Sequence, residues 1–491
     1  MASEIRVDNI TSLSGVGTIT PSATGVEIAG ITTVSTLKAT TGIVTTLTAT
    51  TGIVTTFEAT TGDITTLRAP TGIVTSLEAT TGDITTLRAP TGIVTTFVTN
   101  TANVGAAVTI SESGIEASGI GITVANINGG KVGGRKNLMI NGSMIISQRY
   151  RTSSVTSVTG YVIDRFSVSQ NGLEESPTKQ QVGITTGSAP HRLGFGKAFR
   201  MTNGNQTGGA GVNDYIFLRY KWEGQEIVTS GWDYVDPNSF ITLSFWIKSS
   251  VAQSFQFHFR TLQGTDYNYK FESGSLTADT WTKVIKTIPG NSNLVFNHDN
   301  LEGMYLDMGP YWGTSYTTAS PTMETWAAHG NSNRMKDFDS TWYTTNDATF
   351  EVTGFQLEVG TQATPFEHRG ENEELALCQR YCYALNLNNG DNTGIHGHVF
   401  NSTTMRGMIN FPVPMRDAPT YTGSSDIICR VEASNSSPDF YLSSLTVHRE
   451  PLSRPVPYIG MTVITSGMTS GQSSLVVMRN NGGRIIFDAE V

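Results

Sequence analysis

Six aromatic residues, Tyr311, Trp312, Tyr316, Trp326, Trp342 and Tyr343, fall close together in a stretch rich in Gly, Ser and Thr. Flat aromatic faces suit sugar rings, whose axial C–H groups are apolar while their hydroxyls need amide and carboxylate partners. These six are the candidate glycan-binding residues, against the competing reading that most of them fill a core or a subunit contact. A second constellation is His396-Gly-His398. On a strand an H-x-H pair puts both imidazoles on one face, and three such pairs around a threefold axis would make an octahedral metal site. The competing reading there is a pair of solvated loop histidines. Carboxylates are plentiful (Asp337, Asp339, Glu351, Glu358, Glu367). A glycosidase would need two of them about 5–10 Å apart, and no motif selects a pair. There is no G-x-S-x-G, P-loop or dinucleotide fingerprint, so neither an enzyme nor a cofactor is expected.

Composition narrows the field further. Charged residues make up 15% of the 491, and the net charge is −9. With no Lys/Arg cluster, nucleic acid is not an expected partner. No run approaches the ~20 apolar residues of a membrane span, and the start, MASEIRVDNITSLSG, is not a secretory signal. Cys378, Cys382 and Cys429 are an odd set that suits assembly in a reducing cytoplasm rather than a disulfide framework. Cys378 and Cys382 lie on one predicted amphipathic helix and both face the predicted core, which argues for packing over metal binding.

The elements that must position these residues divide the chain. Residues 39–98 are tandem ten-residue units with Gly at 42, 52, 62, 72, 82 and 92, a branched aliphatic two places later and Leu or Phe three after that. Thr, Val and Ile favour extended backbone. One unit has too few large apolar side chains for a core, so the units must stack or several chains must wind together. We expect intertwined chains, three per fibre, forming a β-rich shaft. Residues 59–75 and 79–95 are identical, a twenty-residue superperiod, and Glu58, Arg68, Glu78 and Arg88 alternate in sign along one edge. Residues 1–38 precede the shaft, and 99–134 form its end and a hinge at KVGGRK. From 135 to 370 the pattern changes to aromatic-rich short strands, predicting a two-sheet jelly-roll sandwich. Phe240–Lys248 and Ser254–Arg260 alternate with period two and predict an adjacent antiparallel pair. Glu373–Leu385 predicts the one helix, within 371–386, and 387–491 a small β-rich head. The fold class is therefore all-β, an elongated homotrimeric fibre.

Three blocks carry a resemblance: Asn137-Leu138-Met139-Ile140-Asn141-Gly142, then Gln148-Arg149, then Tyr161-Val162-Ile163-Asp164-Arg165-Phe166. The closing block is GFQLEVGTQATPFEHRG (354–370) with EELALCQRYCYAL (373–385). Together they resemble a module of tail-fibre or receptor-binding proteins of tailed phages, notably those of marine cyanobacteria, whose sandwich is similar to carbohydrate-binding modules. The resemblance implies a virion protein assembled in the host cytoplasm, with residues 1–38 attached to a tail or baseplate protein. It further implies a host surface polysaccharide or outer-membrane receptor as partner. Some phage fibre tips bind iron through H-x-H pairs, which is what gives His396 and His398 their interest. The expected function is host adsorption, with primary recognition in the distal head. A tailspike-like polysaccharide depolymerase and a structural virion fibre without a receptor role are the alternatives.

Overall fold

A computed structural model describes residues 135–156, 159–387, 392–423, 427–432, 439–448, 458–463, 466–478 and 483–491. Of residues 1–134 it describes the backbone of short strands only. The chain divides into two compact units, Met1–Ile122 and Thr123–Val491. In the first, Val54–Ala59 pairs in parallel with Val74–Ala79, and Leu67–Arg68 with Leu87–Arg88. Each strand therefore meets the copy of itself twenty residues on, as the superperiod allows, within one chain. That departs from the intertwined geometry expected. It also corrects the charge ladder: Glu58 is the register partner of Glu78, and Arg68 of Arg88, so like meets like. The hinge residues 131–134 and most of 1–38 lie outside the described residues.

Strands from residue 160 onward are numbered in order. Period-two alternation of large apolar residues builds two facing antiparallel sheets. The first joins β1 (Gly160–Ile163), β2 (Phe166–Asn171), β5 (Tyr215–Glu223), β7 (Gln256–Thr261), β8 (Tyr267–Glu272), β10 (Glu302–Trp312) and β12 (Trp326–Ala328), in the order β1-β2-β5-β10-β7-β8-β12. The second joins β3 (Thr178–Gly183), β4 (Lys197–Thr202), β6 (Phe240–Ser249), β9 (Thr282–Pro289) and β14 (Thr349–Val359), in the order β3-β4-β14-β6-β9. Phe166, Phe199, Phe245, Phe257, Phe271 and Phe355 fill the space between them. The expected β6–β7 pair is not a pair. The segment between them carries the chain from one sheet to the other, and Phe245 meets Phe257 across the core with ring centroids 5.1 Å apart. Two alternating runs in succession are equally compatible with facing sheets, and here the crossing wins.

The blocks that carried the resemblance close the sandwich. Asn137 accepts from the amides of Met139 and Leu357 and donates to the Phe355 carbonyl. Asn141 donates to the carbonyls of Ile146 and Asp164 and accepts from the Ile146 amide. Arg369 donates to the carbonyls of Asn137 and Met139. Gly142 lies so close to β14 that a Cβ would sit 2.0 Å from the Phe355 carbonyl oxygen, so only glycine fits. These side chains replace strand pairing where the chain enters the module.

The expected helix is not the sole one, since short helices also occur at Ala189–Arg192, Gly224–Val228 and Thr341–Thr344; it is shorter than expected, Glu371–Gln379, with Glu371, Glu373 and Glu374 in its first turn, where the dipole favours acids. Cys382–Leu387 is instead a strand, β15, held by antiparallel pairing with Gly483–Asp488. Tertiary pairing overrides the helical spacing of Cys382 and Leu385. Beyond it, six strands between Asn392 and Met478 close into a barrel. The boundary expected at 387 is crossed by buried ion pairs. Glu490 contacts Arg165 at 2.7 Å and Arg149 at 3.3 Å, and Asp488 contacts Arg149 at 2.7 Å. Ala489 donates its amide to the Tyr381 carbonyl, tying the last strand back to the module. Among the described residues no helix is long and apolar enough to cross a membrane.

Candidate functional site

Five of the six candidate aromatics are interior. Trp342 is fully buried, Tyr343 stacks on Tyr311 at 4.3 Å and donates to Asp214, and Trp326 donates its indole N–H to the Pro289 carbonyl. Trp312 stacks on Phe217 at 4.5 Å. Tyr316 alone remains half-buried, edge-on to Trp312. The glycan assignment of Tyr311, Trp312, Trp326, Trp342 and Tyr343 is thereby corrected: Tyr311, Trp326, Trp342 and Tyr343 belong to the main core of the sandwich, and Trp312 packs with Phe217 and Met335 in a smaller cluster on the outer face. Their Gly/Ser/Thr neighbours, not the rings themselves, gave the stretch its exposed character.

His396 and His398 do share the outer face of one strand, Asn392–Asn401, both exposed, with Met408 and Arg406 as register partners. No group of three or more metal-ligating side chains occurs among the described residues. Cys378 and Cys382 are both buried, one on the helix and one on β15, and burial pushes both thiols up. The carboxylates are in structural use. Glu351 pairs with Arg200 and Lys248, Glu367 accepts the amides of Lys136 and Asn137, and Glu358 accepts from Gln356 and Thr364. Asp337 accepts from Thr317 and Asp339 from Thr341. The loops 388–393, 434–439 and 480–483, where head recognition was expected, lie largely outside the described residues.

The sheet β1-β2-β5-β10-β7-β8-β12 positions a different set on its outer face. Register places Arg219 opposite Asp307, Asp307 opposite His258, and His258 opposite Lys270, one row across four strands. The next row runs Lys221, Tyr305, Arg260 and Asn268. Arg219 forks onto Asp307 at 2.6 and 2.8 Å, and its guanidinium lies 3.8 Å from the centre of the Tyr305 ring. Arg260 donates to the Tyr305 hydroxyl at 3.1 Å and pairs with Asp266. His258, fully buried, has Nε2 3.7 Å from Asp307.

Residues 313–338 form a strap over this face. Trp312 leads into it, and Gly309 leaves room for the indole, since a Cβ there would sit 3.0 Å from the ring. Arg334 lies 5.2 and 5.3 Å from the rings of Trp312 and Tyr316. The strap is tied down where His329 donates its amide to the Asp266 carbonyl, Asn268 donates to the Arg334 carbonyl, and Lys336 pairs with Glu272 at 3.2 Å.

Burial, with Arg219 next, pushes His258 well below the ordinary imidazole range, and burial brings His329 down to about 4, so both rings are neutral near pH 7. Burial pushes the Asp307 carboxyl up, opposed by Arg219. Beneath the strap, Gln256 Oε1, Asn268 Oδ1, Trp312 Nε1, Arg334 Nε and both His258 nitrogens make no hydrogen bond within the chain. Each such buried group costs about 1–3 kcal/mol. The arrangement is a sheet face of buried donors and acceptors, with Tyr305 covered by Arg219 and Tyr316 the half-buried ring beside it. The sequence did carry its signal, the polar alternation Gln256, His258, Arg260 on a central strand. Its partners on β5 and β10 are remote in sequence and gave none.

No protein-family model matches the chain, and no curated protein matches it. Structural neighbours include a phage tailspike domain and carbohydrate-binding modules. The enzymatically active domain of bacteriophage CBA120 tailspike protein 4 is 11% identical with a TM-score of 0.25, over 45% of this chain and 21% of that one. The family 11 carbohydrate-binding module of Clostridium thermocellum is 12% identical with a TM-score of 0.21, over 43% of this chain and 99% of that one. A xylanase 10B fragment of the same organism, with its carbohydrate-binding and catalytic modules, is 9% identical with a TM-score of 0.21, over 45% and 30%. The chain thus spans about a fifth of the tailspike protein it resembles.

Proposed function

We propose that the chain is the subunit of a homotrimeric tailed-phage tail fibre that binds a glycan of the host surface during adsorption. Residues 1–38 attach to the tail or baseplate, the repeats make the shaft, and the sandwich with its head meets the host. The observation that carries the reading is the outer face of the seven-stranded sheet. Four neighbouring strands contribute charged and amide side chains in register, with hydrogen-bonding atoms left unpartnered beneath the strap. Sugars are bound by such sets of fixed polar groups beside aromatic surfaces. The sandwich's polar face therefore replaces the head loops as the expected seat of recognition. Binding rather than cleavage is favoured because Asp307 and Asp266 are each committed to a guanidinium. Three copies per fibre raise avidity even when each contact is weak.

The test is retention of the intact protein on immobilised host polysaccharide, with reducing-sugar release followed in the same sample. Retention without release is expected, and it should weaken at least tenfold in Arg260→Ala. Release of reducing ends would make the protein a depolymerase, and no retention would favour a structural fibre.

A further inference from the structure

We infer a second ligand surface, on the outer face of the five-stranded sheet β3-β4-β14-β6-β9, that takes an acidic oligosaccharide. It goes beyond the polar face of the other sheet and does not depend on it. Trp222, Trp232, Trp312, Trp326 and Trp342 are buried, whereas Trp246 and Trp281 are half-buried. Trp246 belongs to the outward series of β6, since Phe245 and Ile247 on either side of it are in the core. Trp281 directly precedes β9. Trp246 is the register partner of Lys283, and Ile247 of Thr282, so the two tryptophans are diagonal neighbours on adjacent strands. Such neighbours are about 7–8 Å apart, within reach of aromatic side chains.

A bulge fixes the first ring. The β6–β14 register shifts between Ser244 and Trp246, and opposite them Gly354 has φ of 68°. A Cβ there would sit 2.9 Å from the Phe195 ring and 3.1 Å from the Trp246 ring, so glycine lets both close on the sheet. Trp222, Trp232 and Trp326 donate their indole N–H to carbonyls. The indole N–H groups of Trp246 and Trp281 have no such partner among the described residues.

Charge selects the sugar. Lys248 is opposite Glu351, and Glu351 opposite Arg200. Arg200 and Lys248 pair with the same carboxylate, at 2.9 and 3.1 Å. Lys248 also lies 5.2 Å from the centre of the Trp281 ring. Lys283 is exposed and makes no ion pair among the described residues. Even with exposed Asp279 counted at the turn before Trp281, three cations stand against two carboxylates, on a chain of net charge −9. Arg200 directs Nε and one Nη at Glu351 and keeps the other Nη free, on a side chain 37% exposed. A uronate or sulfate supplies the missing negative charge to Lys283 and to that Nη through charge-assisted hydrogen bonds. The apolar face of its ring rests on an indole. Trp246, Trp281, Lys283 and Arg200 all reach solvent as folded, so nothing has to move. A flat face covers one side of a ring only, so the contact is weak alone and adds to the polar face by avidity.

The experiment titrates the intact protein with a panel of uronate- and sulfate-bearing oligosaccharides and with neutral maltohexaose, following Trp fluorescence and its quenching by acrylamide. An acidic oligosaccharide should shield the accessible indoles and bind at least tenfold more tightly than maltohexaose, the difference shrinking at high salt. Trp281→Ala and Lys283→Glu should each weaken that binding at least tenfold. Lys283→Glu changes an exposed residue and should leave thermal melting unchanged. Arg260→Ala, on the other sheet, should leave acidic binding unchanged. Acidic binding that survives Lys283→Glu overturns the inference, as does equal affinity for maltohexaose or no binding from the whole panel. Slower sedimentation of Lys283→Glu would make the face a subunit contact and overturn it too. Each of these results leaves retention on host polysaccharide, which tests the polar face, standing.

Discussion

Glu490 reaches across from the last strand to two arginines at the opening of the module, and removing it tests whether that contact holds the two parts together. Arg165 is fully buried, Glu490 is 3% exposed at its side chain, and their atoms are 2.7 Å apart. Deleting one partner of a buried pair costs about 3–5 kcal/mol, because the other charge is left without compensation. Arg165 keeps its bond to the Lys221 carbonyl and its place 3.5 Å from the Tyr381 ring, so Glu490→Ala belongs at the lower end, about 3 kcal/mol. The control is Glu373→Ala. Glu373 meets Arg135 at a similar 2.8 Å, but the two side chains are 46% and 56% exposed, and such pairs contribute less than about 1 kcal/mol. Urea unfolding followed by Trp fluorescence reads the difference, since every Trp lies between 222 and 342. With a slope of about 3 kcal/mol per molar, Glu490→Ala should lower the midpoint by about 1 M. Equal midpoints for the two variants would refute the view that the terminal strand locks the module.

Other consequences are as direct. Gly142→Ala must move β14 or the entry turn to escape a 2.0 Å contact with the Phe355 carbonyl, and should yield a destabilised or insoluble protein, read by soluble expression and thermal melting. Acidification should lower the stability of the parent relative to His258→Phe. A histidine held neutral by burial gives its full contribution above the unfolded value near 6.5 and loses it as pH falls below that, by up to about 1.4 kcal/mol per pH unit. Asp307, pushed up by burial, works in the opposite sense but is common to both proteins, as are Arg219, Arg260, Arg334 and His329, so paired urea titrations at pH 7 and pH 5 isolate the imidazole; a constant gap would contradict its burial as a neutral ring. In the repeats, Glu78→Arg puts an opposite charge at the register partner of Glu58 and should raise the melting temperature at low salt, since cross-strand pairs differ by roughly 0.2–1 kcal/mol. A lowered melting temperature would restore the alternating ladder.

The layers of the fold were legible where one periodicity dominated. The alternating run Phe240–Lys248 became a strand because nothing competed with its period, and the twenty-residue superperiod foreshadowed strands that pair at that offset. What failed was partnership. Phe240–Lys248 and Ser254–Arg260 look like a hairpin in isolation, yet which sheet each joins is decided by Leu306, Met308 and Val352, far away in sequence. Cys382 and Leu385 fit a helix by spacing, and a strand 100 residues later takes them. Asn137, Asn141, Gln148 and Arg369 were recognised as a pattern without a reason, and the structure supplies one in backbone groups that only side chains can satisfy there. The candidate site was mistaken for similar causes. Aromatic residues advertise themselves, while Arg219, Asp307 and His258 become a row only when three strands align.

The measurement that bears most directly on the central claim is competition for adsorption. Intact protein added in excess to host cells before phage should block adsorption, and Arg260→Ala together with Tyr316→Ala should abolish the block while leaving folding and sedimentation unchanged. Blocking by the double variant as strong as by the parent would remove recognition from the polar face of the sandwich. No blocking by the parent itself would contradict the adsorption role altogether.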